Sequence, residues 1–445
     1  MTHETPRSDR PISLVGAGLS GSLLAVYLAN RGMRVNVFEY RDDMRQAEVA
    51  GGRSINLALS TRGLNALAGV GMAERTREMC IPMHGRLIHD LEGNTELQPY
   101  GREGQYINSI SRSGLNQMLL EEADQHDHIE LHFNQKCVGV DLEQPGVHFE
   151  DLDSGEEWTD ESRLVIGADG AFSNVRARLQ VTDRFDYQQS FLEHGYKELE
   201  IPPAPDGSHR IETNALHIWP RHDFMMIALP NLDGSFTVTL FLAFEGEDSF
   251  EQLNDEQEVI AFFEKYFPDA IEHMPNLVED FFDNPTASLV TIRCEPYHHQ
   301  DKVLLVGDAA HAVVPFYGQG MNAAFEDCFE LDQLLERYDE DWTQVLPAFS
   351  EERKPNADAI ADLALYNYVE MRSKVADETF LLRKALDRKL HELHPETWIP
   401  LYSMVTFSNI PYAEARERAD RQSDILDKLL PEGPMQELLE KLGEP

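Results

Sequence analysis

Glu39 closes the apolar run Val35-Asn36-Val37-Phe38 and follows Gly16-Ala17-Gly18-Leu19-Ser20-Gly21 at a telling distance. An acid about 20 residues beyond a GxGxxG turn holds a ribose hydroxyl in dinucleotide-binding folds. Before the glycines, Ile12, Leu14 and Val15 form a short apolar strand; after them Leu23, Leu24, Tyr27 and Leu28 recur at helical spacing. Gly16, Gly18 and Gly21 permit a tight turn and a close approach of backbone to pyrophosphate. The helix N-terminus then offers free N–H groups to an anion. A chance glycine turn is the alternative reading.

A second set stands far down the chain, in Leu305-Val306-Gly307-Asp308 and Pro315-Phe316-Tyr317-Gly318-Gln319-Gly320-Met321-Asn322. Gly318 and Gly320 let backbone pass close to a flat ring. The helix that starts near Met321 turns its positive end toward that ring, which suits a flavin, whose pyrimidine side becomes negative on reduction. Asp308 can accept from a ribityl hydroxyl, or can serve only as a helix N-cap. A third piece, Leu164-Val165-Ile166-Gly167-Ala168-Asp169-Gly170, is a strand ending in a glycine turn. Together the three predict bound FAD.

The elements that must position these groups divide the chain. Residues 1–75, 103–180 and 296–375 are expected to form a discontinuous Rossmann-like FAD-binding domain. Residues 76–102 and 181–295 form a β-sheet substrate domain, and 376–445 a C-terminal helical cap; the fold class is mixed α/β. Strands are expected at 85–90, 215–219, 224–229 and 236–244, and a helix at 114–126. Two helices are expected over 343–372, with Pro355 in the first turn of the second. In 236–244, Phe236, Val238, Leu240, Leu242 and Phe244 share a core face. Thr237, Thr239, Phe241 and Ala243 face either a ligand or solvent.

Lys and Arg total 38 against 79 Asp and Glu, a net charge of −41. That argues against nucleic-acid or anionic-membrane partners and suits a high-salt cytoplasm, where self-repulsion is screened. No apolar run reaches the length of a spanning helix. Cys80, Cys137, Cys294 and Cys328 lack paired spacing, which points to buried thiols in a reducing compartment. No metal site is expected, and His298-His299 reads as a solvated turn. The expectation is a cytoplasmic protein, monomer or homodimer.

Gly16-x-Gly18-x-x-Gly21, Asp169-Gly170 and Gly307-Asp308 together resemble the single-component FAD-dependent aromatic hydroxylases. Longer strings are similar to the branch of that family that acts on L-kynurenine: 52–60, 97–101, 194–199, 214–220, 315–322 and 402–407. The resemblance implies tightly bound FAD, hydride from NADPH, O₂ activation as a C4a-hydroperoxyflavin, and hydroxylation of L-kynurenine to 3-hydroxykynurenine. It implies that Arg86 and Tyr100 clamp the substrate carboxylate with Asn367 beside them. Thr239, Phe241, Phe316 and Tyr317 would surround the ring, and Tyr402 would belong to the cap. Arg53, Arg112, Pro315, Met321 and Asn322 would lie against the flavin. From the residues alone, Arg86 could be a surface ion pair, Tyr100 a core tyrosine and Asn367 an exposed helix residue. Two other functions stay open: a same-fold hydroxylase of another aromatic acid, and a non-catalytic FAD-binding redox-signalling protein.

Overall fold

The computed structural model describes residues 7–46, 56–102, 104–370 and 378–429. A six-stranded sheet runs in the order His298–His299, Val303–Leu305, Leu164–Gly167, Ile12–Val15, Val35–Phe38, Ile129–His132. All neighbours are parallel except the His298–His299 edge. A parallel sheet is covered on both faces, so its strands read as unbroken apolar runs; Ile12, Leu14 and Val165 are fully buried. Helix Leu19–Asn30 packs on this sheet and against helices Arg112–Asp124 and Gly320–Arg337. The two glycine-rich segments are thereby brought to one end of the sheet.

A seven-stranded sheet runs Ala287–Glu295, Asp186–Ile201, Phe236–Ala243, Phe224–Pro230, Ala215–Arg221, Gly85–His89, Thr95–Pro99. Phe236, Val238, Leu240 and Leu242 form a core with Phe262, Phe263 and Phe281 of the helices behind it. On the opposite face Thr239 and Phe241 are also buried, and Phe241 packs with Phe316 and Tyr317. Strict alternation therefore marks two different cores and not a core and a solvent face. The parallel pairing of Gly85–His89 with Ala215–Arg221 sets Arg86 opposite Leu216.

Two expectations need correction. Residues 342–369 form one helix, Trp342–Val369, with Pro347 and Pro355 inside it. A proline removes one backbone bond and crowds the preceding turn. Here the buried stripe Val345, Leu346, Phe349, Ala357 and Ile360 holds the helix together across it. His298 and His299 form a short edge strand, half-buried, not a solvated turn. Helices Glu256–Tyr266, Pro268–Ile271 and Leu277–Asp283 pack behind the seven-stranded sheet. The C-terminal part contains helices Glu378–Leu393, Leu401–Thr406 and Tyr412–Leu429. Among the described residues no helix is long and apolar enough to cross a membrane, and no group of acids, histidines and cysteines could hold a metal.

Candidate active site

The first glycine turn combines closure with vacancy. Gly16 has φ +105°, and a Cβ there would stand 2.5 Å from the Ala168 carbonyl oxygen; on Gly21 it would stand 1.9 Å from that of Gly16. Those two glycines let the chain close on itself. Gly18 differs, since a Cβ there would meet no atom within 4 Å. It is the N-cap of helix Leu19–Asn30 and offers no side chain to the first-turn N–H groups. Open space at an uncapped helix N-terminus is what a phosphate requires. Glu39 is buried at the strand end, where its Oε2 accepts from Ala17 N at 2.9 Å and its Oε1 from Arg41 Nε at 2.7 Å. Its remaining lone pairs are available to a hydroxyl. Arg53 lies outside the described residues.

At the second turn, Gly307 is the N-cap of the short helix Asp308–His311, and no side chain caps it. Asp308 therefore does not act as the N-cap. It presents surface to open space, yet its carboxyl is pushed up by burial, against the pull of Arg112 and His311. A group that is both accessible and desolvated lines a deep concavity. Arg112, also accessible, opens helix Arg112–Asp124 and acts on the same carboxylate. Asp169 accepts from Ser173 Oγ at 2.5 Å, Asn174 N at 2.7 Å and Val175 N at 3.2 Å, bracing the next helix.

Pro315 starts the single turn Pro315–Tyr317, and Gly318 follows in the left-handed region at φ +67°. Helix Gly320–Arg337 begins immediately. Its first intrahelical bond runs from Ala323 N to Gln319 O, 2.8 Å, so the N–H groups of Gly320, Met321 and Asn322 form its electropositive end. The Asn322 side chain braces the turn. It donates to Ala58 O and Gly318 O, both 2.8 Å, and accepts from Ser60 N at 2.9 Å.

The region around Arg86 is made of side chains from distant segments. The guanidinium carbon of Arg86 lies 4.9 Å from the ring centre of Tyr402 and 5.7 Å from that of Tyr100. Tyr402 stacks on Tyr100 at 5.3 Å and on Tyr317 at 5.6 Å. Phe316, beside Tyr317, stacks on Tyr368 at 4.1 Å and meets Phe241 at 5.0 Å. Asn367 is buried, and its Nδ2 donates to Phe316 O at 2.6 Å, which fixes that aromatic wall. Thr239 lies two residues from Phe241 on the same sheet face.

Two polar atoms at this end stand out. Arg86 Nε and Tyr100 OH are buried and make no well-aligned hydrogen bond, and the Tyr100 hydroxyl has the Arg86 and Tyr402 side chains close to it. Among the described residues Arg86 makes no ion pair either. Buried donors are normally satisfied, and each orphan costs about 1–3 kcal/mol. Burial disfavours the Arg86 charge, but Tyr402, Tyr100, Glu370 and Tyr317 outweigh it and hold it above its usual range. Burial likewise pushes the Tyr100 and Tyr317 hydroxyls up, so both remain neutral donors. Glu370, buried and paired with Lys384 at 3.2 Å, was not singled out from the sequence. It ends a helix whose pattern gives no sign that Arg86 is near.

Residues 9–364 match the family described as FAD binding domain. The chain is 50% identical to a kynurenine 3-monooxygenase of Flavobacterium johnsoniae over 419 residues, 94% of this chain and 93% of the relative. The chain belongs to the kynurenine 3-monooxygenase family. The kynurenine 3-monooxygenase of Anopheles gambiae is 46% identical over 422 residues, 94% of this chain and 86% of that one. Solved structures share the fold. A tetrameric form of 2-methyl-3-hydroxypyridine-5-carboxylic acid oxygenase is 20% identical with a TM-score of 0.67, covering 84% of this chain and 95% of that one. The tetracycline destructase Tet(51) is 18% identical with a TM-score of 0.63, covering 90% and 100%. The family is one of FAD-dependent monooxygenases, and the Rossmann-type sheet, β-sheet unit and C-terminal helices agree with it.

Proposed function

We propose that the protein hydroxylates L-kynurenine to 3-hydroxykynurenine, consuming NADPH and O₂ and releasing NADP⁺ and water. The observation that carries this is the pair of buried donors without well-aligned hydrogen bonds, Arg86 Nε and Tyr100 OH, at the end of an aromatic wall. They fit an amino-acid carboxylate, whose two oxygens match a guanidinium fork. Phe241, Phe316 and Tyr317 fit an aryl ketone lying flat, and Thr239 offers a small polar contact at its rim.

The residues present fit FAD. The space at Gly18 and the helix behind it suit the pyrophosphate, with Glu39 on the adenosine ribose and Asp308 with Arg112 on the ribityl side. The helix end at Gly320, Met321 and Asn322 suits the ring's electron-rich edge. Bound there, FAD supplies the redox chemistry, taking hydride from NADPH and activating O₂. The protein's part is positional. The ring amine of kynurenine already enriches the carbon to be hydroxylated, so no side-chain base is needed. Arg86, Tyr100 and Tyr402 fix the amino-acid end, the aromatic wall orients the ring, and the cap excludes water. We assign residues 1–75, 103–180 and 296–375 to flavin binding, 76–102 and 181–295 to the substrate sheet, and 376–445 to the cap. Four free thiols support a cytoplasmic setting.

The direct test incubates purified protein with L-kynurenine and NADPH and weighs the product. A product one oxygen heavier, hydroxylated at ring position 3, is expected. NADPH oxidation that yields only peroxide with L-kynurenine, but a hydroxylated product with another aromatic acid, would move the protein to another substrate.

A further inference from the structure

We propose that Arg62 is a positioning residue that locks the helix carrying Tyr402 to the turn facing the flavin, so that pocket closure and flavin-turn geometry move together. The proposal rests on the pocket reading above.

Arg62 is the second residue of helix Thr61–Gly69, and its side chain is fully buried. It does not point into the pocket. Its Nε donates to Val405 O at 2.9 Å, Nη2 donates to Ile410 O and approaches Met404 O at 3.5 Å, and Nη1 pairs with Glu326. Its guanidinium carbon sits 3.9 Å from the ring centre of Tyr412. Helix Leu401–Thr406 is six residues long. A helix that short is not stable alone, and its last carbonyls have no partner within it. Arg62 supplies partners for those carbonyls from outside. Tyr402 lies one turn earlier in the same helix, so whatever holds Val405 holds the ring over Arg86 and Tyr317.

Arg62 is tied to the flavin turn along the chain and across it. Ser60, two residues before it, donates its N–H to Asn322, which also grips Gly318. From the cap side, Tyr412 donates its hydroxyl to Gln319 Oε1 at 2.9 Å. The links therefore close a ring through Gln319, Asn322, Ser60, Arg62, Val405 and Tyr412. A buried charge chain backs it: Glu326 pairs with Arg353 at 2.8 Å, Arg353 donates to Asp327 at 2.8 Å, and Asp327 accepts from Gly307 N at 2.9 Å, beside Asp308. A guanidinium taken out of water is costly unless its donors are met. Here they are met by three elements at once, and a lysine cannot reproduce that fork. A cap that slips admits water, and oxygen chemistry then yields hydrogen peroxide in place of product.

The test uses flavin-loaded Arg62→Lys, Arg62→Met and Tyr412→Phe. Three quantities are measured: flavin content, amide exchange across 401–412, and peroxide against hydroxylated product per NADPH. Flavin content should stay near wild type. Exchange across 401–412 should rise about tenfold in Arg62→Lys, with a smaller rise in Tyr412→Phe. KM for the aromatic substrate should rise about tenfold while kcat for NADPH oxidation changes by less than about threefold, and peroxide should take a larger share. If Arg62→Met does not fold, the other two variants carry the test. Unchanged exchange in both would overturn the proposal, as would faster exchange with unchanged KM and peroxide share. Exchange needs no substrate, so a wild type that leaves L-kynurenine unchanged would refute the substrate reading separately.

Discussion

Around Gly16–Gly21 and Gly318–Asn322 the candidate site is lined by backbone, whereas around Arg86 it is lined by side chains from four separated segments. The backbone side needs glycine at fixed intervals, a strand before it and a helix after it. Its geometry is local, since Gly16, Gly18 and Gly21 lie within one turn; a Cβ on Gly16 or Gly21 would strike backbone, whereas one on Gly18 would enter open space. The side-chain end is local nowhere. Arg86 comes from a sheet strand, Tyr100 from the segment after the next strand, Tyr317 from the flavin turn and Tyr402 from the cap. A site assembled from backbone tolerates little substitution and repeats across chemistries. One assembled from side chains can change its substrate by changing single residues.

Gly18 gives the sharpest test of the backbone side and the largest expected effect. Its φ is −72°, so an ordinary side chain is unstrained there, and the Cβ meets no protein atom. Gly18→Val should fold with the melting temperature of wild-type apoprotein. It should nonetheless lose FAD affinity by more than about 100-fold, roughly 3 kcal/mol, because the methyls fill the phosphate's space. Flavin-fluorescence titration reads this directly. Wild-type affinity in Gly18→Val would mean that the vacancy is not where the pyrophosphate lies.

The same contrast explains what could be read from the chain. Glycine spacing, strand apolarity and strand-end acids announce a flavin fold because each is a local requirement. The alternation of Phe236 to Ala243 announces a strand, but not that both faces are buried, since that depends on what packs from elsewhere. At Pro355 local rules end a helix, while a buried stripe on both sides of it keeps helix Trp342–Val369 whole. The place of Asn322 beside the second glycine turn is legible in the chain, but its part as a brace on Ala58, Ser60 and Gly318 needs the third dimension. Arg62 carried no signal at all. A lone arginine near a helix start looks like surface until the cap's carbonyls are seen around it.

Arg86 probes the side-chain end and should have the next largest effect. Arg86→Met removes the fork and leaves a substrate carboxylate unpaired in a buried place, costing on the order of 2–4 kcal/mol of binding. FAD content should not change, since no flavin-facing group bonds to Arg86. Wild type should bind the decarboxylated analogue far more weakly than L-kynurenine, and Arg86→Met should barely distinguish them. Equal preference for the carboxylated substrate in both proteins would show that Arg86 is not the clamp.

The smallest effect, and the one that best separates ligand group from core group, belongs to Tyr100→Phe. The ring stacks on Tyr402 at 5.3 Å with an interplanar angle of 8°, and phenylalanine keeps that contact. The hydroxyl is different, because it is buried and makes no well-aligned hydrogen bond, with the Arg86 and Tyr402 side chains close to it. An unmet buried donor costs about 1–3 kcal/mol, and removing it relieves that cost. Tyr100→Phe should therefore raise the melting temperature of substrate-free protein by a few degrees. The same hydroxyl, once it donates to a carboxylate, is worth about 1 kcal/mol, so L-kynurenine should bind roughly fivefold more weakly. The two changes have opposite signs, which packing alone does not produce. A core tyrosine would give a lower melting temperature and unchanged binding, and that result would take Tyr100 out of the clamp while leaving Arg86 in it.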